Sequence, residues 1–190
     1  MKEILAYAKT HKVPIIQKEG LDFLLAFIKE HNIKTVLEIG TAIGYSAIHM
    51  AQAGCEVVTI EREFDAYCTA YDNVHRFGLQ NKIQLIYADA MLYQTERQFD
   101  LLFIDGAKAQ SILFLKQYYQ CLKPGSYVLV DNINFHNCTY GDEVLTRNVR
   151  EMVTKIKRYV DYIQAQTEFK STLYPVGDGI CVSEFLGSEK

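Results

Sequence analysis

The chain has 190 residues, of which 49% are hydrophobic and 23% charged, and its formal net charge is -3. This composition allows one domain with a sizeable core and excludes a disordered chain. The slight excess of acidic over basic residues excludes a globally basic nucleic-acid-binding protein, although it is compatible with a local basic patch. The five cysteines include no CxxC pair, which disfavours a disulfide scaffold or a structural zinc site and favours reduced thiols.

The length and position of the apolar runs indicate whether the sequence contains a targeting segment or a membrane span. The N-terminal segment carries charges throughout and lacks the apolar core of a signal peptide. No apolar run approaches the length of a membrane span. We therefore expect a cytoplasmic protein with no membrane partner.

Hydrophobic periodicity predicts an alternation of helices and strands. In chain order we predict helices at 2–11 and 19–30, a strand at 35–39, a helix at 45–53, a strand at 56–60, a helix at 64–77, strands at 83–87 and 99–104, a helix at 112–122, a strand at 127–130, a helix at 143–164, and strands at 168–173 and 180–184. This order predicts an α/β fold with a mostly parallel sheet and helices on both faces. Ligands of such sheets bind beyond the carboxyl ends of the strands.

A glycine-bounded turn follows the first predicted strand. Gly40 and Gly44 enclose it, and Glu61 ends the second strand 21 residues after Gly40. A carboxylate at that distance is placed to accept hydrogen bonds from both hydroxyls of a ribose. Asp89, after the third strand, is a candidate neighbour of an adenine amine. The alternative is a purely structural role, in which the two glycines form a tight turn that binds no ligand.

A dinucleotide site is the first functional alternative for this turn. The G-x-G-x-x-G pattern needs glycines where this chain has Ala42 and Tyr45. Neither side chain suits a pyrophosphate, and no Lys or Arg follows within the turn. A ligand with an adenosine and no phosphate fits better, and S-adenosylmethionine is the obvious one.

Polar residues also follow the fourth and fifth strands. Asp105 ends the fourth, and Asp131 and Asn132 follow the fifth. Two carboxylates and an amide form an all-oxygen ligand set, which suits Mg²⁺ or another hard divalent cation. Lys108 is a candidate general base toward a substrate hydroxyl. The alternatives are turn-making or helix-capping aspartates and a solvated lysine.

The last long helix is rich in positive charge. Its candidates for phosphate contacts in RNA are Arg147, Arg150, Lys155 and Arg158. A solvated helix face with pairs such as Glu151–Lys155 explains the same residues equally well.

Four motifs carry a family resemblance: LEIGTAIGYSAIHMA, VTIEREF, FDLLFIDGAKAQ and LKPGSYVLVDNINF. They resemble the cation-dependent O-methyltransferases, which include catechol and caffeoyl-CoA O-methyltransferases. The segments AYAKTHKVPIIQKEG and YPVGDGICVS are more similar to the bacterial branch that methylates 5-hydroxyuridine at the tRNA wobble position.

The resemblance implies a fold and a set of site residues. The fold is a Rossmann-like sheet of seven strands with the last antiparallel, as a single domain over 1–190, often homodimeric, in which residues 1–31 form a lid or interface. The cofactor residues are Ile16, Glu38, Gly40, Gly44, Ser46, Glu61, Asp89, Ala90 and Asp105. The metal ligands are Asp105, Asp131 and Asn132, and the catalytic residues are Lys108 and Asp105.

The resulting hypothesis is an S-adenosylmethionine- and metal-dependent enzyme that converts 5-hydroxyuridine in tRNA to 5-methoxyuridine. A catechol offers the same pair of adjacent oxygens, so a small-molecule phenol O-methyltransferase is the alternative. A non-catalytic domain that binds RNA or protein on the same fold is the second alternative.

Overall fold

A computed structural model describes residues 1–133 and 147–187, with residues 108, 148 and 149 described through their backbones only. The first compact unit, residues 1–94, contains α1 (Lys2–His11), α2 (Lys18–Glu30), β1 (Thr35–Ile39), α3 (Tyr45–Gln52), β2 (Glu56–Glu61), α4 (Phe64–Arg76) and β3 (Ile83–Tyr87). The second unit begins at residue 95 and contains β4 (Phe99–Ile104), α5 (Ser111–Tyr118), β5 (Leu122–Val130), α6 (Arg147–Gln164), β6 (Phe169–Tyr174) and β7 (Ile180–Phe185). Two 3-10 turns, Lys108–Gln110 and Tyr119–Cys121, flank α5.

The strands form a seven-stranded sheet in the order β3-β2-β1-β4-β5-β7-β6. β2 is parallel to β1 and to β3, and β4 is parallel to β5. β7 is antiparallel to both β5 and β6. These pairings confirm the predicted Rossmann-like sheet with an antiparallel last strand. No helix within the described ranges has the length and apolar character that a membrane crossing requires.

β1 and β2, two strands of the first unit, are almost completely buried. Four of the five residues of β1 are buried, and so are five of the six residues of β2. Strands of a parallel sheet that are covered on both faces have such continuous apolar sequences, which is why the period-two pattern is weak here. α2 buries Leu21, Leu24 and Ile28, which recur at helical spacing. This unit therefore holds the ends of β1 and β2 in fixed positions.

The second unit differs from the prediction between α5 and β5. The helix ends at Tyr118 rather than 122, and β5 begins at Leu122 rather than 127. The register of β4 with β5 jumps from Phe99–Leu122 to Leu101–Tyr127. The predicted Lys-Pro-Gly turn is thus an outward bulge inside a longer strand, with Gly125 at φ 86°. Leu122 already pairs with β4, so the helix cannot continue to it.

Candidate functional site

The turn between β1 and α3 has the backbone that its glycines predict. Gly40 and Gly44 have φ values of 98° and 82°, and Ala42 between them has 48°. The amide of Gly44 donates to the carbonyl of Thr41 at 2.9 Å. Positive φ is strained for a non-glycine residue, and such strain persists only where neighbouring bonds hold it.

Those bonds come from β2. The amides of Gly40 and Thr41 donate to the Ile60 carbonyl at 3.0 and 3.3 Å. The amide of Ala42 donates to Oε2 of Glu61 at 2.8 Å. The end of β2 therefore shapes the turn before any ligand arrives.

Glu61 is the predicted ribose ligand, and its carboxylate is well ordered by the backbone. Oε1 accepts the amides of Arg62 and Glu63, each at 2.9 Å, and Oε2 accepts the amide of Ala42. A carboxylate has about four lone-pair sites, so acceptor capacity for ribose hydroxyls remains. Glu61 is 8% exposed, which leaves an edge accessible to a ligand. The arrangement fits the predicted role.

Behind the turn lies a buried carboxylate, Glu38, with 0% exposure. The hydroxyl of Ser46 donates to its Oε1, and the hydroxyl of Thr59 donates to its Oε2 at 2.6 Å. Sequence reasoning identified Glu38 and Ser46 but missed Thr59 and its partner Thr41. The missing signal is the register of β1 and β2, which pairs Glu38 with Thr59.

The other cofactor candidates of the first unit have different degrees of exposure. Ile16 and Ala90 are buried, at 4% and 7% exposure. Asp89 is exposed, and its Oδ1 accepts the amide of Met91 at 2.8 Å. The amide of Ala88 donates to the carbonyl of Glu61 at 3.0 Å, so the segment before Asp89 lies beside the end of β2. The roles of Ile16, Asp89 and Ala90 in binding stay predictions.

In the second unit, the strand register brings two predicted metal ligands to adjacent positions. Ile104 and Val130 are partners in the β4–β5 ladder, so Asp105 and Asp131 are the next residues on neighbouring parallel strands. The amide of Asp131 lies 3.4 Å from the carbonyl of Ile104. Asp131 is 3% exposed, whereas Asp105 is half-buried.

Asn132 completes the predicted set in an uncommon conformation. Its φ is 57°, a left-handed value that asparagine tolerates better than most residues. The amide of Ile133 then donates to the carbonyl of Gly179 at 3.0 Å, which anchors the chain just beyond it. A strained, anchored residue beside a buried aspartate is consistent with a functional role.

The donor set fits a hard divalent cation because it offers only oxygens. Within residues 1–133 and 147–187, no three His, Cys, Asp or Glu side chains are grouped as metal ligands. The predicted set has a different composition, two carboxylates and one amide, and it stays a prediction. Lys108 begins the 3-10 turn after β4, and its side chain lies outside the described part of the chain.

α6 separates its charged and apolar residues. Its buried residues are Val153, Ile156, Tyr159, Val160 and Ile163. The RNA candidates Arg147, Arg150, Lys155 and Arg158 are all exposed. At about 100° per residue they occupy roughly 140° of the helix circumference, opposite to the buried residues. Arg147 also pairs with Glu151 at 3.2 Å, as a solvated face predicts. The predicted start of this helix at 143, and the segment 134–146 before Arg147, lie outside the described residues.

Comparison with known proteins supplies the family. A model of the O-methyltransferase family matches residues 1–184. A catechol O-methyltransferase from Niastella koreensis is 27% identical over 179 residues, which cover 89% of this chain and 78% of that protein.

Two solved structures extend the comparison. One, from Staphylococcus aureus and provisionally named a caffeoyl-CoA O-methyltransferase, is 32% identical, with a TM-score of 0.92 over 97% of this chain and 91% of that one. An O-methyltransferase from Bacillus cereus, solved in complex with SAH, has a TM-score of 0.83 at 21% identity, over 97% of this chain and 89% of that one. The second likeness shows the fold alone.

Proposed function

The chain belongs to the S-adenosylmethionine-dependent O-methyltransferase family, and on this premise we propose that it methylates one of two adjacent oxygens of a substrate bound through a divalent cation. The observation that carries the proposal is the β4–β5 register, in which Asp105 and Asp131 follow directly on the paired residues Ile104 and Val130. Family membership argues against the non-catalytic alternative.

The residues of each unit have separate tasks in this proposal. Glu61 accepts hydrogen bonds from the ribose of S-adenosylmethionine, and the glycine turn receives the rest of the cofactor. Asp105, Asp131 and Asn132 would hold the cation. A bound divalent cation supplies Lewis acidity toward a hydroxyl and orients two neighbouring oxygens.

Lys108 removes the proton of the reacting hydroxyl as general base. The oxygen then forms a bond to the methyl carbon while the bond from that carbon to sulfur breaks. The electron pair of the broken bond stays on sulfur, so the products are the methyl ether and S-adenosylhomocysteine. Orientation of the two reactants contributes much of the rate.

A catechol-type small molecule is the first candidate acceptor. Its two adjacent hydroxyls match the oxygen pair that the proposed site requires. The names of the Niastella and Staphylococcus proteins, catechol and caffeoyl-CoA O-methyltransferase, support a phenolic substrate.

5-Hydroxyuridine in tRNA is the second candidate, and the exposed basic residues of α6 favour it. A 5-hydroxyuracil offers its hydroxyl and the adjacent 4-carbonyl as the oxygen pair. Phosphate contacts from a basic helix face position nucleic acids without reading their sequence.

The test is a methyl-transfer assay with labelled S-adenosylmethionine. The acceptors are a panel of catechols, caffeoyl-CoA and tRNA that contains 5-hydroxyuridine, each with Mg²⁺ and with EDTA. We expect transfer that EDTA abolishes and Mg²⁺ restores, with catechols methylated faster than tRNA. Faster methylation of tRNA selects the second candidate. Transfer that EDTA leaves undiminished contradicts the metal-dependent proposal.

A further inference from the structure

A chain of hydroxyl groups lies behind the glycine turn, and we propose that it positions the turn for S-adenosylmethionine. Thr59 is the central positioning residue, and Thr41 connects it to the turn. The inference concerns the cofactor side alone and does not depend on which acceptor is methylated.

The geometry is compact and buried. Thr59 and Glu38 are 0% exposed and Thr41 is 1% exposed. The hydroxyl of Thr59 lies 2.6 Å from Oε2 of Glu38 and 2.6 Å from the hydroxyl of Thr41. Such groups are costly to bury without partners, so a complete set of bonds is a strong constraint on side-chain position.

The bonds have a fixed direction. A threonine hydroxyl has one hydrogen, and that of Thr59 goes to the Glu38 carboxylate, which only accepts when ionised. Thr41 must therefore donate to Thr59. The chain runs from the turn through β2 to β1, and each bond polarises the next.

This chain completes a series of contacts from consecutive residues of β2. Ile60 holds the turn through its carbonyl, and Glu61 holds Ala42 through its carboxylate. Thr59 adds the only side-chain hydroxyl in the series and reaches both Thr41 and Glu38. Without that hydroxyl, one carboxylate oxygen of Glu38 and the Thr41 hydroxyl each lose a bond, and the turn loses this hydrogen-bonded connection to Glu38.

The test is Thr59→Val, which replaces the hydroxyl with a methyl group at nearly constant volume. We expect the Kd for S-adenosylmethionine and for S-adenosylhomocysteine, measured by calorimetry, to rise roughly tenfold with unchanged stoichiometry. Thr59→Ser keeps the hydroxyl, and its Kd should stay within about twofold of wild type. Thr172→Val, at an exposed position of β6, is the matched control and should leave the Kd unchanged.

A purely structural role has a different signature. It lowers the binding stoichiometry and the unfolding temperature while the Kd of the folded fraction stays constant, and that result overturns the proposal. If Thr59→Val does not fold, Thr41→Val decides, because it keeps the bond from Thr59 to Glu38. It should raise the Kd about threefold, and an unchanged Kd contradicts the proposal. Failure of every acceptor in the methyl-transfer assay leaves these binding measurements valid.

Discussion

At the scale of single residues, Glu61 connects backbone geometry to cofactor binding. Its two oxygens accept three backbone amides, including that of the strained Ala42. A glutamine at this position has one acceptor oxygen and directs an amide N–H toward a backbone donor. Glu61→Gln should therefore weaken binding of S-adenosylhomocysteine by roughly tenfold, as measured by calorimetry.

The control for this variant is its neighbour. The side chain of Glu63 is 71% exposed and pairs with Arg62 at 3.2 Å. Glu63→Gln should leave the affinity unchanged. Equal affinities for the two variants would contradict the role of Glu61.

Cys181 gives a second prediction at this scale. It is buried in β7, burial raises the pKa of its thiol to about 11, and its sulfur lies 3.7 Å from the Ser183 hydroxyl. A thiol is a nucleophile only as the thiolate, so Cys181 should resist alkylation by iodoacetamide at pH 8. Among the four cysteines that the structure describes, the half-buried Cys68 should react first, as peptide mass spectrometry will show. Rapid labelling of Cys181 before unfolding would refute this assignment.

At the scale of elements, α6 separates the two candidate acceptors. The double variant Arg150→Gln, Arg158→Gln removes two exposed charges and leaves the buried face of the helix intact. If tRNA binds here, the variant should lose roughly tenfold in tRNA affinity and show a shallower salt dependence. Methylation of catechols should change by less than about twofold, because the protein framework is preserved. A tRNA affinity equal to that of wild type would exclude this helix as the RNA surface.

α3 carries a histidine, His49, that should make the stability of the fold depend on pH. Burial lowers the pKa of His49 below its ordinary 6.5, and the positive N-terminal amine lowers it further, while Asp22 opposes both. Between the lowered pKa and 6.5 the unfolded chain binds more protons than the folded one, so stability falls as the pH falls through that window. Between pH 7.5 and 5.5, the unfolding temperature of His49→Gln should therefore fall by less than that of the wild-type protein.

A matched histidine tests this explanation. His11 is exposed on α1 and stacks on Tyr7. His11→Gln should keep the pH dependence of wild type, which circular dichroism melts at both pH values will measure. If the unfolding temperature falls equally in wild type and in His49→Gln, a group other than His49 causes the acid sensitivity.

The elements also show what sequence patterns can and cannot predict. β1, β3 and β4 have the predicted bounds, because each is a short, largely apolar run between polar residues. The start of β5 was predicted wrongly, because the bulge near Gly125 has the sequence of a chain-reversing turn. Thr59 was missed because a threonine in a strand matches ordinary β-propensity, and its role depends on its register with Glu38.

At the scale of the whole molecule, topology explains how the sequence points to a candidate site. Parallel strands place their carboxyl ends at one edge of the sheet, so residues that follow the strands can be named as candidates from the sequence alone, and their roles stay predictions. The register confirms that Asp105 and Asp131 are neighbours in the second unit. The cation, the homodimer and the acceptor depend on molecules other than this chain, and they stay predictions.

The most direct test of the account is binding of Mn²⁺, a paramagnetic hard cation, to the purified protein by electron paramagnetic resonance. We expect one site per chain, lost in Asp131→Asn and retained in Asp161→Asn, which changes an exposed residue of α6. Equal Mn²⁺ binding by these two variants, or no binding by the wild-type protein, would contradict the proposed cation site.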